Sequence, residues 1–193
     1  MAATGCSSGG DDKPGAAETK EPTATVAPTD SPAPEPAVKT LELGAPAETI
    51  GSGGAGVLEL TPSSIVYVTG SMSTKPSKDV FAFIAVKAKS TKAVAAEQVA
   101  PISGGGWKWV AKDGQAIGEG NGESYNVVAD SFNAGGPVEP GTFVWDGIAF
   151  DLAKAQRGGT LLYTDGNGTA YRWTVPAADA GAQVAQLKKE LAP

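Results

Sequence analysis

The sequence predicts an all-β protein, an antiparallel β-sandwich with a disordered N-terminal tether and a short C-terminal helix. All 4 tryptophans, 4 tyrosines and 5 phenylalanines lie at or after Tyr67. From residue 57 onward, short runs of alternating apolar and polar residues are separated by turn residues, and helical spacing begins only after Pro176. Short strands with frequent turns are typical of a β-sandwich.

Residues 1–56 predict a linker. They hold 8 acidic against 3 basic residues, whereas residues 57–193 hold 13 against 12. A segment with so few large apolar side chains cannot offset the entropy of ordering, so we expect it to be disordered. Leu41, Leu43 and Ile50 leave open a short stretch that docks on the domain. The remainder is nearly neutral and shows no basic cluster, so we do not expect nucleic acid as a partner.

The single cysteine, Cys6, follows a run of small residues. Ala3-Thr4-Gly5-Cys6, with Ser, Gly and Asp after it, resembles the lipidation motif of bacterial lipoproteins, in which the cysteine thiol carries diacylglycerol. We expect a lipid on Cys6 to hold the protein on the extracytoplasmic face of the cell membrane, with secretion as the second choice. No signal-peptide pattern precedes the motif, so we expect either a start upstream of Met1 or a mature chain with Met1 added. A cytosolic protein is the alternative.

Eight candidate strands follow one another from residue 57. Residues 80–86 are apolar at every position, as expected for a central strand that is covered on both faces. Asp113-Gly114, Pro140-Gly141 and Asp165-Gly166-Asn167-Gly168 predict turns, and the last of them joins two strands in a hairpin. The candidate strands are 57–60, 64–70, 79–88, 107–111, 125–128, 142–152, 160–164 and 170–175.

The candidate strand at 142–152 has an irregular pattern. Two aromatic residues share one parity and three later apolar residues share the other. We therefore predict a β-bulge at Asp146-Gly147, which would place all of them on one face. The residues concerned are Phe143, Trp145, Ile148, Phe150 and Leu152.

Residues 177–193 predict the C-terminal helix. Asp179 is a suitable N-cap residue, and Val184, Leu187 and Leu191 fall at helical spacing. A helix of this length is marginal by itself, so we expect it either to dock on the sandwich or to fray.

Four short segments carry a resemblance to a known family. They are the Phe-led apolar run 81–88, the Asp113-Gly114 turn, the Pro140-Gly141 step and the Gly-x-x-Phe-Asp run 147–152. With these segments, residues 57–176 resemble the telokin-like, immunoglobulin-fold domain of unknown function found in actinobacterial-type lipoproteins and secreted antigens. The resemblance implies an immunoglobulin-like sandwich and an extracytoplasmic location, and it supplies no active site.

The chain contains 0 histidines and 1 cysteine. These counts exclude Ser-His-Asp and Cys-His nucleophiles, histidine-ligated zinc, cysteine-built metal sites and an internal disulfide. We expect no enzyme, no cofactor and no metal. Residues 51–56 match the dinucleotide-binding string but precede a strand, which favours a flexible linker. Residues 165–168 begin like a calcium loop but lack its later ligands, which favours a hairpin turn.

Two hypotheses remain for binding and catalysis. Trp107 and Trp109 share one strand face and form a candidate ligand platform, with core packing as the alternative. Asp146 and Asp151 are the candidate pair for a histidine-free hydrolase, although we expect both to face solvent. We favour a lipid-anchored, extracytoplasmic, immunoglobulin-like binding module with an unknown protein or glycan ligand. A carbohydrate-binding module that uses exposed tryptophans is the alternative, and a hydrolase ranks third.

Overall fold

The computed structural model describes residues 40–101 and 105–192. Cys6 and the part of the predicted tether before Thr40 lie outside these residues. The described residues form ten strands and one α-helix, joined by turns and short 3₁₀ helices. In chain order the elements are β1 (Thr40–Glu42), β2 (Ala47–Ile50), β3 (Val57–Val68), β4 (Val80–Ser90), β5 (Gly106–Val110), β6 (Ala116–Gly118), β7 (Phe143–Leu152), β8 (Thr160–Thr164), β9 (Ala170–Thr174), β10 (Ala180–Gly181) and α1 (Val184–Glu190).

The strands form two sheets that pack face to face. The first sheet has the order β1-β9-β8-β5-β6, and the second has the order β10-β3-β4-β7, with β2 also paired to β3. Of the strand pairs in the described residues, only β1 with β9 is parallel. The predicted immunoglobulin-like β-sandwich is therefore confirmed, with one parallel pair at an edge.

The second sheet is buried on both faces. Ile84 and Val86 of β4 pack into the core between the sheets. Phe81 and Phe83 point to the opposite face, where they pack in a second core with Phe132 and α1. Each phenylalanine buried in this way contributes roughly 1.5–3 kcal/mol of hydrophobic stabilisation. The prediction that residues 80–86 form a strand covered on both faces is confirmed.

The C-terminal helix is shorter than predicted and docks on this second face. Leu187 and Leu191 are buried there, so the helix does not fray. Asp179 lies before β10 and does not cap the helix. Its Oδ1 accepts a hydrogen bond from the Tyr67 N–H at 2.9 Å, and its Oδ2 lies 2.6 Å from Lys188 Nζ. Asp179 therefore joins the C-terminal segment to β3 and to the helix.

Strand β7 contains no bulge, so the predicted bulge is wrong. Its 10 residues pair with β4 in unbroken register, beginning with Phe143 opposite Lys89. Phe150 lies in the core between the sheets, Trp145 packs on the opposite face against Phe132, and Phe143 is exposed. Because both faces of this sheet are buried, apolar residues of either parity find packed surroundings without a shift in register.

The sandwich begins before residue 57. Strands β1 and β2 each join one of the two sheets, and Leu41 and Leu43 pack against the core. The docking stretch left open by the sequence therefore exists, and the first strand residue is Thr40. The sequence pattern does not reveal these strands because they contain few large apolar residues. Backbone pairing with β9 and β3 holds them in the sheets.

The predicted strand at 125–128 is wrong. A 3₁₀ helix, Ser124–Asn126, occupies this position. Tyr125 is exposed and Val127 is buried in the second core, so a turn reproduces the alternation expected of a strand. Strands β6 and β10 went unpredicted because each is too short to establish a period.

Candidate functional site

The two tryptophans predicted as a ligand platform are buried. Trp107 is 2% exposed and Trp109 is 0% exposed. Their indole N–H groups donate to Gln98 Oε1 at 2.9 Å and to the Gln156 carbonyl at 3.0 Å. The Trp107 ring packs against Tyr163, with ring centres 4.6 Å apart. The predicted ligand platform is therefore wrong, and both tryptophans belong to the core. The space between two sheets requires large side chains, and these rings fill it.

The two candidate catalytic carboxylates do not form a pair. Asp146 and Asp151 are five positions apart on β7, so they point to opposite faces of the sheet about 16 Å apart along the strand. Asp151 is fully buried and accepts hydrogen bonds from the backbone N–H groups of Ser77, Lys78 and Glu123, at 2.6, 3.0 and 3.2 Å. The expectation that it faces solvent is wrong, and its contacts assign it to holding two loops.

The turn at 165–168 is a hairpin, as the sequence predicts. The carboxylate of Asp165 is buried and accepts N–H bonds from Asn167, Thr169 and Ile50 within 3.0 Å. Residues 51–56 begin against this hairpin: Gly166 N–H donates to the carbonyl of the preceding Ile50 at 3.0 Å, and a Cβ at Gly166 would overlap the Gly51 carbonyl. They are an ordered connection between β2 and β3 rather than a flexible linker.

A small cavity opens where the end of β6, at the edge of the first sheet, meets β7, at the edge of the second. Its volume is about 150 Å³, and its lining includes Gln98, Trp107, Glu119, Asp146 and Ile148. Asp146 Oδ2 accepts a hydrogen bond from Gln98 Nε2 at 2.8 Å, and Gln98 Oε1 accepts the bond from the Trp107 indole. One amide side chain therefore connects a core tryptophan to a carboxylate on the neighbouring sheet.

The carboxyl groups in this cavity have shifted pKa values. Burial and, to a smaller extent, the nearby charge of Asp146 together raise the pKa of Glu119 to about 7. Burial also raises the pKa of Asp146, while hydrogen bonds from Gly147 N–H and Gln98 oppose that rise. Glu119 can therefore carry a proton close to neutral pH, so it can either donate or accept a hydrogen bond.

Sequence reasoning missed Glu119. It lies in Gly118-Glu119-Gly120, directly after the unpredicted strand β6. A lone glutamate between glycines gives no sign of burial, and it is separated from Asp146 by a long stretch of chain. Only the meeting of β6 with β7 brings the two side chains to one cavity.

Glu119 also lines a second cavity of about 140 Å³. Ser124, Tyr125 and Asn133 contribute to its lining. Tyr125 is 67% exposed at its rim. Within 40–101 and 105–192, no group of three or more His, Cys, Asp or Glu residues is placed to hold a metal ion. No helix in the same residues is long and apolar enough to cross a membrane.

Comparison with known proteins gives a likeness in fold. No protein-family model matches the chain, and no curated protein matches it. The secreted protein MPT63 of Mycobacterium tuberculosis is 14% identical, with a TM-score of 0.51 over 71% of this chain and 97% of MPT63. The two proteins share a fold. The YjhA protein of Bacillus subtilis is 13% identical, with a TM-score of 0.49 over 70% of this chain and 99% of YjhA.

Proposed function

We propose that this protein is a lipid-anchored, extracytoplasmic binding module. Cys6 is its attachment point to the membrane, and the segment between Cys6 and β1 is the tether. The sandwich is the part that meets a protein or glycan ligand. The observation that carries the proposal is the position of the only cysteine, which follows Ala3-Thr4-Gly5 and precedes a polar segment rich in Ala and Pro.

One comparison supports a location outside the cytoplasm, and the cysteine content of the domain is compatible with it. MPT63, which shares the fold, is a secreted protein. The domain itself contains no cysteine, since Cys6 precedes it, and so it does not depend on the redox state of its compartment. The acidic residues between Cys6 and β1 would be repelled by an anionic membrane surface and so would keep the domain away from it.

The arrangement of side chains supports binding rather than catalysis. The chain has 0 histidines, and the two aspartates proposed for hydrolysis point to opposite faces of β7. The carboxylates of Asp151 and Asp165 accept hydrogen bonds from backbone N–H groups. Carboxylates engaged in this way stabilise loops, and loops on a rigid sandwich are a common place for ligand recognition.

The anchor is tested by expressing the coding region, together with the DNA upstream of it, in the source organism. Cells are labelled with a radioactive fatty acid, and membranes are separated by detergent phase partitioning. The wild-type protein is expected in the detergent phase with label. Cys6→Ser is expected in the aqueous phase without label, while the matched control Ser31→Ala behaves as wild type. Label that persists in Cys6→Ser, or wild-type protein without label, contradicts the anchor.

A further inference from the structure

Glu119 and Asp146 line the same cavity from different sheets. Asp146 lies on β7, an edge of the second sheet, and Glu119 directly follows β6, an edge of the first. The backbone crosses between the sheets at this point. The Glu119 N–H donates to the Trp107 carbonyl at 3.4 Å in the first sheet, and the Gly120 N–H donates to the Ala149 carbonyl at 3.1 Å in the second.

The surroundings of this pair are acidic or neutral. Glu97 lines the cavity from the segment between β4 and β5, and the Tyr163 hydroxyl on β8 accepts the Val99 N–H nearby at 2.9 Å. Lys108 alternates with two core tryptophans on β5 and therefore points away from the cavity. Among the described residues that line the cavity, none is Lys or Arg. No neighbouring cation offsets a second negative charge here.

Because the chain lacks histidine, a titration near neutral pH must come from another kind of side chain. Histidine is the side chain that ordinarily changes charge between about pH 5 and pH 8, and the chain contains 0 histidines. A half-buried carboxyl group with a raised pKa is thus one means by which this domain can respond to protons near neutrality.

We propose that Glu119 and Asp146 form a proton-sensitive contact that closes this edge of the sandwich. The edge is closed while Glu119 carries a proton, because the pair then holds a single negative charge. When both carboxylates are ionised, two like charges share one half-buried cavity, and the crossing backbone at Glu119 and Gly120 loosens. This inference concerns the described domain alone and does not depend on the anchor at Cys6.

The full chain, labelled with ¹⁵N, tests the contact by NMR between about pH 5 and pH 8.5. The Trp107 indole N–H is the first probe, because its acceptor Gln98 also bonds Asp146. Its resonance is expected to shift with a midpoint near 7, the pKa of Glu119. The second probe is amide exchange at Glu119 and Gly120. Above the midpoint, their exchange is expected to increase more steeply with pH than that of amides in β3 and β4.

Three variants decide the outcome. Glu119→Gln is expected to abolish the transition. Asp146→Asn removes the like charge and is expected to move the midpoint to lower pH, because burial of Glu119 remains. Glu139→Gln removes one exposed carboxylate and serves as the matched control, with wild-type behaviour expected. A wild-type chain without a transition overturns the proposal, as does an unchanged midpoint in Asp146→Asn, which remains informative if Glu119→Gln fails to fold.

Discussion

The side-chain amide of Asn121 bonds both backbone groups of Asp151. Its Nδ2 donates to the Asp151 carbonyl at 2.8 Å, and its Oδ1 accepts the Asp151 N–H at 2.9 Å. Strand β7 is the last strand of its sheet, with β4 as its strand partner. The amide therefore occupies the place of a missing neighbouring strand. An edge covered in this way is withheld from pairing with other chains.

Asn121→Ala is expected to lower the free energy of unfolding by about 1–3 kcal/mol, because two backbone groups of Asp151 lose their partners at a half-buried site. Urea denaturation followed by tryptophan fluorescence measures the change. Asn126→Ala is the matched control, since the Asn126 side chain bonds Glu123 on the exposed surface, and a change within about 0.5 kcal/mol is expected. Equal stability of the two variants would show that the edge cover contributes nothing.

Asp151→Asn is expected to lower the free energy of unfolding by about 2–3 kcal/mol, because its new NH₂ group opposes backbone N–H groups that now donate to a carboxylate. Asp113→Asn is the control, because the exposed Asp113 accepts one N–H bond within a turn. The measurement is the same denaturation assay. A stable Asp151→Asn protein that has lost a hydrolytic activity of the wild type would restore the catalytic hypothesis.

Trp109→Ala is expected to cost about 3–5 kcal/mol of stability, because it leaves a large cavity between the sheets. Tyr125→Ala, which truncates an exposed aromatic residue, is expected to change stability by no more than about 0.5 kcal/mol. Thermal unfolding of both variants gives the comparison. A Trp109→Ala protein as stable as the wild type would contradict the assignment of this ring to the core.

The free energy of unfolding is expected to fall as pH rises from about 5.5 to 8, by roughly 2 kcal/mol. The folded-state pKa of Glu119, about 7, lies above its ordinary value of 4.5. The stabilisation from a raised carboxyl pKa is complete below the unfolded value and is lost as pH rises through the folded one. Urea denaturation at several pH values measures this dependence.

Glu119→Gln is expected to remove most of that pH dependence, and Glu139→Gln is expected to retain it. The raised pKa of Asp146 acts in the same direction. A wild-type stability that stays constant or rises across this interval would contradict the burial of a protonated Glu119.

Sequence patterns predicted the elements that repeat an apolar pattern over many residues. The run 80–86 indicated a strand buried on both faces because every position is apolar, and β4 is such a strand. Burial on both faces of the sheet is also the reason why the bulge predicted in β7 is wrong. The apolar residues of β7 change parity, and such a change requires a bulge only if one face of the sheet meets solvent. The second face of the sheet is covered by Phe132 and α1, which lie far away in the chain.

The candidate site depended on contacts that no local pattern records. Trp107 and Trp109 were correctly placed on one strand face, but sequence alone does not distinguish a face that meets solvent from one that meets another sheet. Glu119 gave no signal between its two glycines. Its burial follows from β6 at the edge of one sheet and β7 at the edge of the other, a relationship set by the whole fold.

Mass spectrometry of the N-terminal peptide from native membranes is the decisive test of lipidation at Cys6. Trypsin is expected to release a peptide that ends at Lys20, because Pro14 blocks cleavage after Lys13. This peptide is expected to begin at Cys6 and to carry the mass of a diacylglycerol group, with or without a further acyl chain. A peptide in which residues 1–5 still precede an unmodified Cys6 would contradict the lipid anchor.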